Sequence, residues 1–364
     1  MKQRISPVAG CEDVAVVATA GTAVTGGRRQ GERPAIVLAM LEGLAGHAFT
    51  PEHLDRLRAV GDLLDDAPLE DFSTERAREL LGRARILVGH WGCPTLTAEV
   101  LSAAPHLELF AYAAGTVKWQ VTDAVWERGI VVTSAAAANA VPVAEYTVAM
   151  VLLANKGVLL SRELQRDPSA RVPLDHARVG NVGKRVGLVG ASHVGRLVIE
   201  RLAPYDLSLA VYDPYLSAAD AAALGVELVA DLDELCAGVD VLSLHAPDVE
   251  ATKGMIGARQ LSLLRDGATF INTARPALVD TRALEAELRS GRIAAILDVT
   301  DPEPLPVDHE LLRLPNVFVT PHVAGAAGTE LTRLADLAVE EVERHVAGLP
   351  PRYPVTAADL DRIA

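Results

Sequence analysis

The hydrophobic pattern changes character near residue 185. From Arg185 onward, short apolar runs alternate with amphipathic stretches. The runs are RVGLVG, LSLAVY from Leu207, VDVLSLH from Val239, ATFIN from Ala268, AAILDV from Ala294 and VFVT from Val317. Runs this short and nearly uninterrupted predict strands buried on both faces, as in a parallel sheet. Between them, VGRLVIERLA and TRALEAELRSG repeat apolar positions at helical spacing, and Gly291 supplies a stop for the second. Strands alternating with helices in this way predict a doubly wound, Rossmann-type α/β sheet.

The N-terminal part repeats the logic on a smaller scale. AIVLAM (Ala35–Met40), RILVG from Arg85 and LELFAY from Leu107 predict strands, with helices over Pro51–Val60, Thr74–Leu81 and Thr95–Ala104. This makes a second, smaller, flavodoxin-like α/β domain. VAEYTVAMVLLANK (Val143–Lys156) predicts an apolar helix crossing between the two, and a polar stretch, Ser161–Lys184, leads into the first long strand. After Gly325 a helix is expected to about Ala347, and Pro350–Pro351 turns the tail back towards the first domain. The expected division is therefore a discontinuous first domain, 1–118 plus 327–364, and a second, Rossmann-type domain, 119–326. Residues up to about Arg33, ending in GTAVTGGRRQGER, read as a loosely ordered leader.

Composition narrows the class. Half of the 364 residues are apolar and aromatics supply 4 %, which suits a folded chain with an aliphatic core. A net charge of −14 leaves no excess of Lys and Arg for phosphate backbones or anionic membranes, so neither nucleic acid nor a membrane is an expected partner. No stretch appears long and apolar enough for a membrane span. Cys11, Cys93 and Cys236 are odd in number and far apart, which fits neither a disulfide scaffold nor a zinc site, and no metal is expected. Glu12 and Asp13 precede the apolar stretch AVVATAGTAV, unlike a secretory signal, so the expected compartment is the cytoplasm.

Two sets of residues carry chemistry. VGLVGASHVGR runs a strand into a helix through Gly190, Ser192 and Gly195, a dinucleotide turn with serine where glycine normally lets the backbone approach a pyrophosphate. Asp213 ends the next strand, where an acid accepts hydrogen bonds from ribose hydroxyls and repels a 2′-phosphate, favouring NAD over NADP. An Asp capping a turn before Pro214 is the plainer alternative. Further on, Arg275 follows ATFIN, Glu303 lies just beyond AAILDV, and His322 follows VFVTP. A cation, a carboxylate and an imidazole at one edge of a parallel sheet are the parts needed to reduce a carbonyl.

The chain resembles the D-isomer-specific 2-hydroxyacid dehydrogenase family. The strings that carry this are VGLVGASHVGR, YDPY, LHAP (Leu244–Pro247), INTARPALVD (Ile271–Asp280), LDVTDPEPLP (Leu297–Pro306) and TPHVAGA (Thr320–Ala326), with NAVPVAEYTVA (Asn139–Ala149) as a weaker match. The resemblance implies NAD-dependent interconversion of a 2-keto acid and a D-2-hydroxy acid in a homodimer, with Val143–Ala154 a candidate interface. Arg275 would hold the substrate carboxylate, His322 would act as acid and base, and Glu303, chosen over Asp301 by its distance from Asp298, would fix the imidazole. His193 and Val194 would offer amides to the pyrophosphate, and His245, Ala246 and Pro247 would flank the ribose. Thr273, Ala274 and Asp298 would face the nicotinamide, Asp298 at its carboxamide, while Ala324 and Gly325 would allow close packing beside His322. Gly115 and Thr116 would bind the substrate carboxylate.

Three places depart from the family pattern. Pro276 replaces a glycine, Lys118 and Trp119 stand in the substrate segment, and the acid usual there is missing. Trp91, in HWGC, is placed either to line the side-chain pocket or to fill the core. Two other functions stay open: a nucleotide-sensing, co-repressor-type binding protein, and oxidation of a one-carbon or inorganic anion.

Overall fold

The computed structural model describes residues 33–166, 179–360 and 362–363. The expected leader and the middle of the polar stretch 161–184 lie outside the described residues. Arg33–Ala364 forms one compact unit.

In chain order the strands are β1 (Ala35–Ala39), β2 (Asp62–Leu63), β3 (Ile86–Gly89), β4 (Leu109–Tyr112) and β5 (Val131–Ser134). They continue as β6 (Lys184–Val189), β7 (Leu207–Tyr212), β8 (Glu227–Leu228), β9 (Val241–Leu244), β10 (Thr269–Asn272), β11 (Ala294–Leu297), β12 (Val317–Val319) and β13 (Pro354–Val355). They form two sheets, ordered β13-β5-β4-β3-β1-β2 and β12-β11-β10-β9-β6-β7-β8. The first has the flavodoxin-like order with an added antiparallel edge, since Pro354 and Val355 pair with Thr133 and Val132. The second has the Rossmann order with one further strand.

Every residue of β3, β4, β9 and β10 is buried, because helices cover both faces of each sheet. Leu80, Leu96, Leu101 and Phe110 fill one face of the first sheet, and Ile36, Leu57, Leu334 and Val342 fill the other. Around the second sheet, Leu235, Phe270 and Leu288 pack on one side and Leu188, Ile199 and Val211 on the other. Helix starts follow capping residues: Thr74 accepts from the Ala77 amide, Thr97 from Val100 and Asp280 from Ala283. Gly291, at φ +75°, ends the helix Thr281–Ser290 as its pattern predicts.

Sheet membership moves the first crossing. The expected break after residue 118 falls inside the first lobe, because β5 pairs in register with β4 (Val131 with Leu109, Ser134 with Tyr112). The chain leaves that sheet only at the helix Ala136–Asn155, which starts seven residues before its apolar run at Val143 and carries Pro142 inside it. By length and composition alone this helix could cross a membrane, contrary to the sequence expectation. Its apolarity has a local use. Val151 and Ala144 pack into the core beneath the second sheet, and Ala138 packs into the core of the first.

Candidate active site

The candidate residues stand at the carboxyl ends of the parallel strands, where open α/β sheets place their ligand sites. On the second sheet, β6 runs into Gly190, β7 into Asp213 and β9 into His245–Pro247. β10 runs into Thr273–Arg275, β11 into Asp298 and β12 into His322. On the first sheet, β3 delivers His90 and Trp91, and β4 delivers Gly115 and Thr116. A large cavity beside Asn155, Arg292 and Phe318 opens at the opposite, amino ends of the second sheet and contains none of these groups.

The dinucleotide turn is shaped by contact with its neighbour loop. Gly190 has φ +102°, and a Cβ there would lie 2.8 Å from the Ala246 amide nitrogen. A Cβ on Gly195 would stand 2.2 Å from the Gly190 carbonyl oxygen. Both glycines are therefore required by space, one against the loop 245–246 and one where the helix abuts the strand end. Ser192 caps the helix His193–Leu202, its Oγ accepting from the Gly195 amide at 3.4 Å. The hydroxyl expected to compensate for a longer approach to the pyrophosphate thus serves the helix end. Asp213 folds onto the same turn: one oxygen accepts from the Ala191 amide at 2.7 Å and the other from Tyr215 at 2.8 Å. A cradle closed to any side chain, a helix N-terminus and a half-buried acid beside them fit a dinucleotide.

His322 and Glu303 are in direct contact. The Nδ1–H of His322 donates to Glu303 Oε1 at 2.6 Å, with the two side chains 49 % and 38 % exposed, so Nε2 is left for a reacting group. Arg275 completes the group. Burial lowers its affinity for a proton, while the charges of Asp248 and Glu303 oppose that effect. One guanidinium N–H donates to the Ala274 carbonyl at 2.7 Å, fixing the fork beside its own strand.

Residues beyond these three hold the groups in place. Asn272 braces the turn around Arg275, donating to its carbonyl and accepting from the Ala274 amide. His322 sits at φ +55°, the one non-glycine residue in the left-handed region among those described. Asp298 holds it there, although the sequence places that carboxylate at the nicotinamide carboxamide. Its carbonyl accepts from the His322 amide at 2.9 Å. Its carboxylate accepts from the Thr320 hydroxyl at 2.6 Å and from the amides of Val323 and Ala324 at 2.9 Å. Tyr146, on the helix Ala136–Asn155, donates to Thr320 at 2.7 Å. Thr147, one residue on, meets Thr273 at 3.1 Å.

Asn139 joins the two sheets' loops. It accepts from the Ala326 amide at 2.9 Å, and its amide nitrogen lies 3.5 Å from where Gly115 would carry a Cβ. Gly325 packs against the same side chain. The strings INTAR and NAVPVAEY contain these asparagines, but pattern alone does not separate a bracing amide from a ligand.

The histidines divide by environment. Burial pushes His245 down to about 3, and its Nε2 meets Ser243 Oγ at 3.0 Å, so it is a neutral packing group behind the Gly190 turn. Burial likewise brings His90 down to about 4, with Nδ1 accepting from the Trp91 amide at 2.7 Å. Trp91 itself is 39 % exposed. Its carbonyl accepts from the Leu41 amide, and Leu41 is 51 % exposed beside it, so an apolar wall stands at this edge. Among the described residues, no three His, Cys, Asp or Glu side chains gather as metal ligands would.

Residues 148–324 match the sequence model of the D-isomer specific 2-hydroxyacid dehydrogenase, NAD binding domain. The chain is 32 % identical over 300 residues to D-3-phosphoglycerate dehydrogenase of Methanocaldococcus jannaschii, covering 80 % of this chain and 55 % of that protein. It is 34 % identical over 262 residues to glyoxylate reductase of Korarchaeum cryptofilum, covering 70 % and 78 %. The solved structure of a phosphoglycerate oxidoreductase from Rhizobium etli aligns with a TM-score of 0.74 at 26 % identity, covering 89 % of this chain and 98 % of that one. The chain spans about half the length of the phosphoglycerate dehydrogenases it matches. Shared sequence and a shared pair of sheets lead to one conclusion: the chain belongs to the D-isomer specific 2-hydroxyacid dehydrogenase family, and its second lobe is that family's NAD-binding domain.

Proposed function

We propose that this protein is an NAD-dependent oxidoreductase interconverting a 2-keto acid and a D-2-hydroxy acid. The observation that carries the reading is the 2.6 Å pair of His322 and Glu303 beside Arg275, on the sheet that carries the dinucleotide turn. Gly190, the amides at His193 and Val194, and Asp213 would hold the nucleotide, with the backbone of His245–Pro247 flanking it. Bound there, the nicotinamide supplies or accepts the hydride. Arg275 grips the substrate carboxylate with its planar fork and draws charge from the adjoining carbonyl. His322 Nε2 gives a proton to the keto oxygen in reduction and takes one from the hydroxyl in oxidation, while Glu303 steadies the charged imidazole. The first lobe closes the far side, with amides near Gly115 and Thr116 towards the carboxylate. Trp91 and Leu41 present an apolar wall to the substituent on the keto carbon, which favours an uncharged chain over a phosphate.

The test is NADH oxidation across a panel of glyoxylate, pyruvate, 2-ketoisocaproate, phenylpyruvate and phosphohydroxypyruvate. Turnover is expected with the apolar members. His322→Gln is expected to lower kcat by roughly 10²–10⁴-fold, the usual worth of a general acid, while leaving NADH affinity unchanged. Absence of turnover with every member, alongside tight NADH binding, points instead to a nucleotide-sensing protein.

A further inference from the structure

The side chain of Lys118 reaches from the first lobe to the second, and the family pattern does not account for it. Lys118 Nζ donates to the backbone carbonyl of Asp248 at 3.0 Å, across 130 residues of sequence. Its root is fixed. Val117, just before it, is fully buried in the first lobe's core, and Val121 closes the same turn, with Gln120 and Val121 amides both donating to the Val117 carbonyl. The Lys118 amide also donates to Thr116 Oγ1 at 3.3 Å, which ties the lysine to the segment expected at the substrate carboxylate.

The receiving loop is equally well placed. Asp248 ends the run that begins at His245, and that run touches the dinucleotide turn through the close approach of Gly190 to Ala246. The Thr252 hydroxyl donates to the Pro247 carbonyl at 2.6 Å and accepts from the Val249 amide at 3.1 Å, so the loop is braced from behind. The Asp248 carboxylate adds its field to Arg275. One loop therefore meets the nucleotide turn at one end and Lys118 at the other, with Arg275 alongside.

We propose that Lys118 is a positioning residue that couples nucleotide seating to substrate binding, by clamping the Gly115–Thr116 segment to the loop 245–248. It touches neither reacting atom. It sets the distance between the substrate segment on one lobe and Arg275 on the other. Because the acceptor is a backbone carbonyl, the clamp needs a donor long enough to reach it and does not depend on the side chain at 248 as its acceptor. An acid at 118 would face that carbonyl and repel it, so this place suits a lysine. This proposal rests on the nucleotide-dependent reading above.

The experiment measures binding of oxamate, a non-reacting 2-keto acid mimic, with and without saturating NADH, in the wild type, Lys118→Met and Lys118→Arg. Linkage makes the ratio of the two affinities the coupling itself. In the wild type NADH should tighten oxamate binding. Lys118→Met should reduce that ratio by roughly tenfold, raise KM for the keto acid more than it lowers kcat, and leave NADH affinity without oxamate unchanged. Lys118→Arg should recover most of the ratio, because a guanidinium still donates to a carbonyl. Thermal unfolding of each variant monitors folding. Equal coupling in wild type and Lys118→Met overturns the clamp, as does a Lys118→Arg variant no better than Lys118→Met. A wild type that reduces no 2-keto acid overturns the activity reading instead, so the two failures are distinguishable.

Discussion

At the scale of single residues, the pairing of His322 with Glu303 makes a directional prediction. A carboxylate accepting from Nδ1 fixes the ring's orientation and leaves Nε2 to hold the proton that reduction consumes. Glu303→Gln keeps a hydrogen-bond partner but removes the charge. With the charge gone, kcat in the variant should fall in both directions, by less than the roughly 10²–10⁴-fold expected when the acid itself is removed. Steady-state rates measured in both directions check this, and an unchanged kcat in both would remove Glu303 from the acid–base role. Arg275 and His322 draw attention in the sequence as polar residues just past strands. Glu303 lies six residues beyond β11, and only family spacing picks it over Asp301. The structure brings Glu303 and His322 within 2.6 Å. Asn272, Asn139 and Asp298 draw less attention. Their work is to accept and donate to particular backbone groups, and nothing in the spacing of a sequence distinguishes bracing a turn from touching a ligand. Lys118 was visible as an oddity, but its partner is a main-chain atom 130 residues away.

At the scale of elements, the turn from β6 into the helix His193–Leu202 separates a requirement of space from one of capping. Gly195→Ala would set a Cβ against the Gly190 carbonyl, where backbone must move. That displacement should cost about 1–3 kcal/mol, as overpacking does, and should weaken NADH binding at the same turn by at least tenfold. Ser192→Ala should cost only about 0.5–1 kcal/mol, the low end for a lost cap, because its bond to the Gly195 amide is long at 3.4 Å. Urea unfolding and NADH fluorescence titration measure the two effects, and equal losses would mean the serine does more than cap. Element legibility followed the same physics. The helix Pro51–Val60 and the strand Leu207–Tyr212 have the bounds their patterns predict, since periodicity and flanking stops agree. β5 escaped because VVTS is only four residues and half polar, and with it went the position of the first crossing. β2, β8 and β13 have two residues each and carry no pattern; their neighbours recruit them.

At the scale of the whole molecule, the buried histidines link stability to pH. His90 and His245 belong to different lobes, and each is 4 % exposed or less. Their folded-state values of about 4 and about 3 lie below the ordinary 6.5, with desolvation as the cause of both. Below pH 6.5 the unfolded chain takes up a proton on each ring, and the folded chain does not until near pH 4 and pH 3. Proton uptake by the unfolded state alone means that stability rises with pH across this window and is lost as pH falls through it. The slope approaches 1.36 kcal/mol per pH unit for each ring, so at pH 4.5 each should have cost about 2–3 kcal/mol. Against a usual total of roughly 5–15 kcal/mol, two such losses bring the fold close to its limit before most carboxylates titrate. Urea midpoints from pH 7 to pH 4.5 should fall steeply in the wild type. His90→Gln and His245→Gln should each flatten the decline by close to one proton's worth, whatever they do to stability at pH 7. The slope isolates charge from packing, because a lost contact lowers the curve at every pH while a lost titration tilts it. If both variants run parallel to the wild type, the rings are reached by protons in the folded state, and each lobe must open locally near its strand ends.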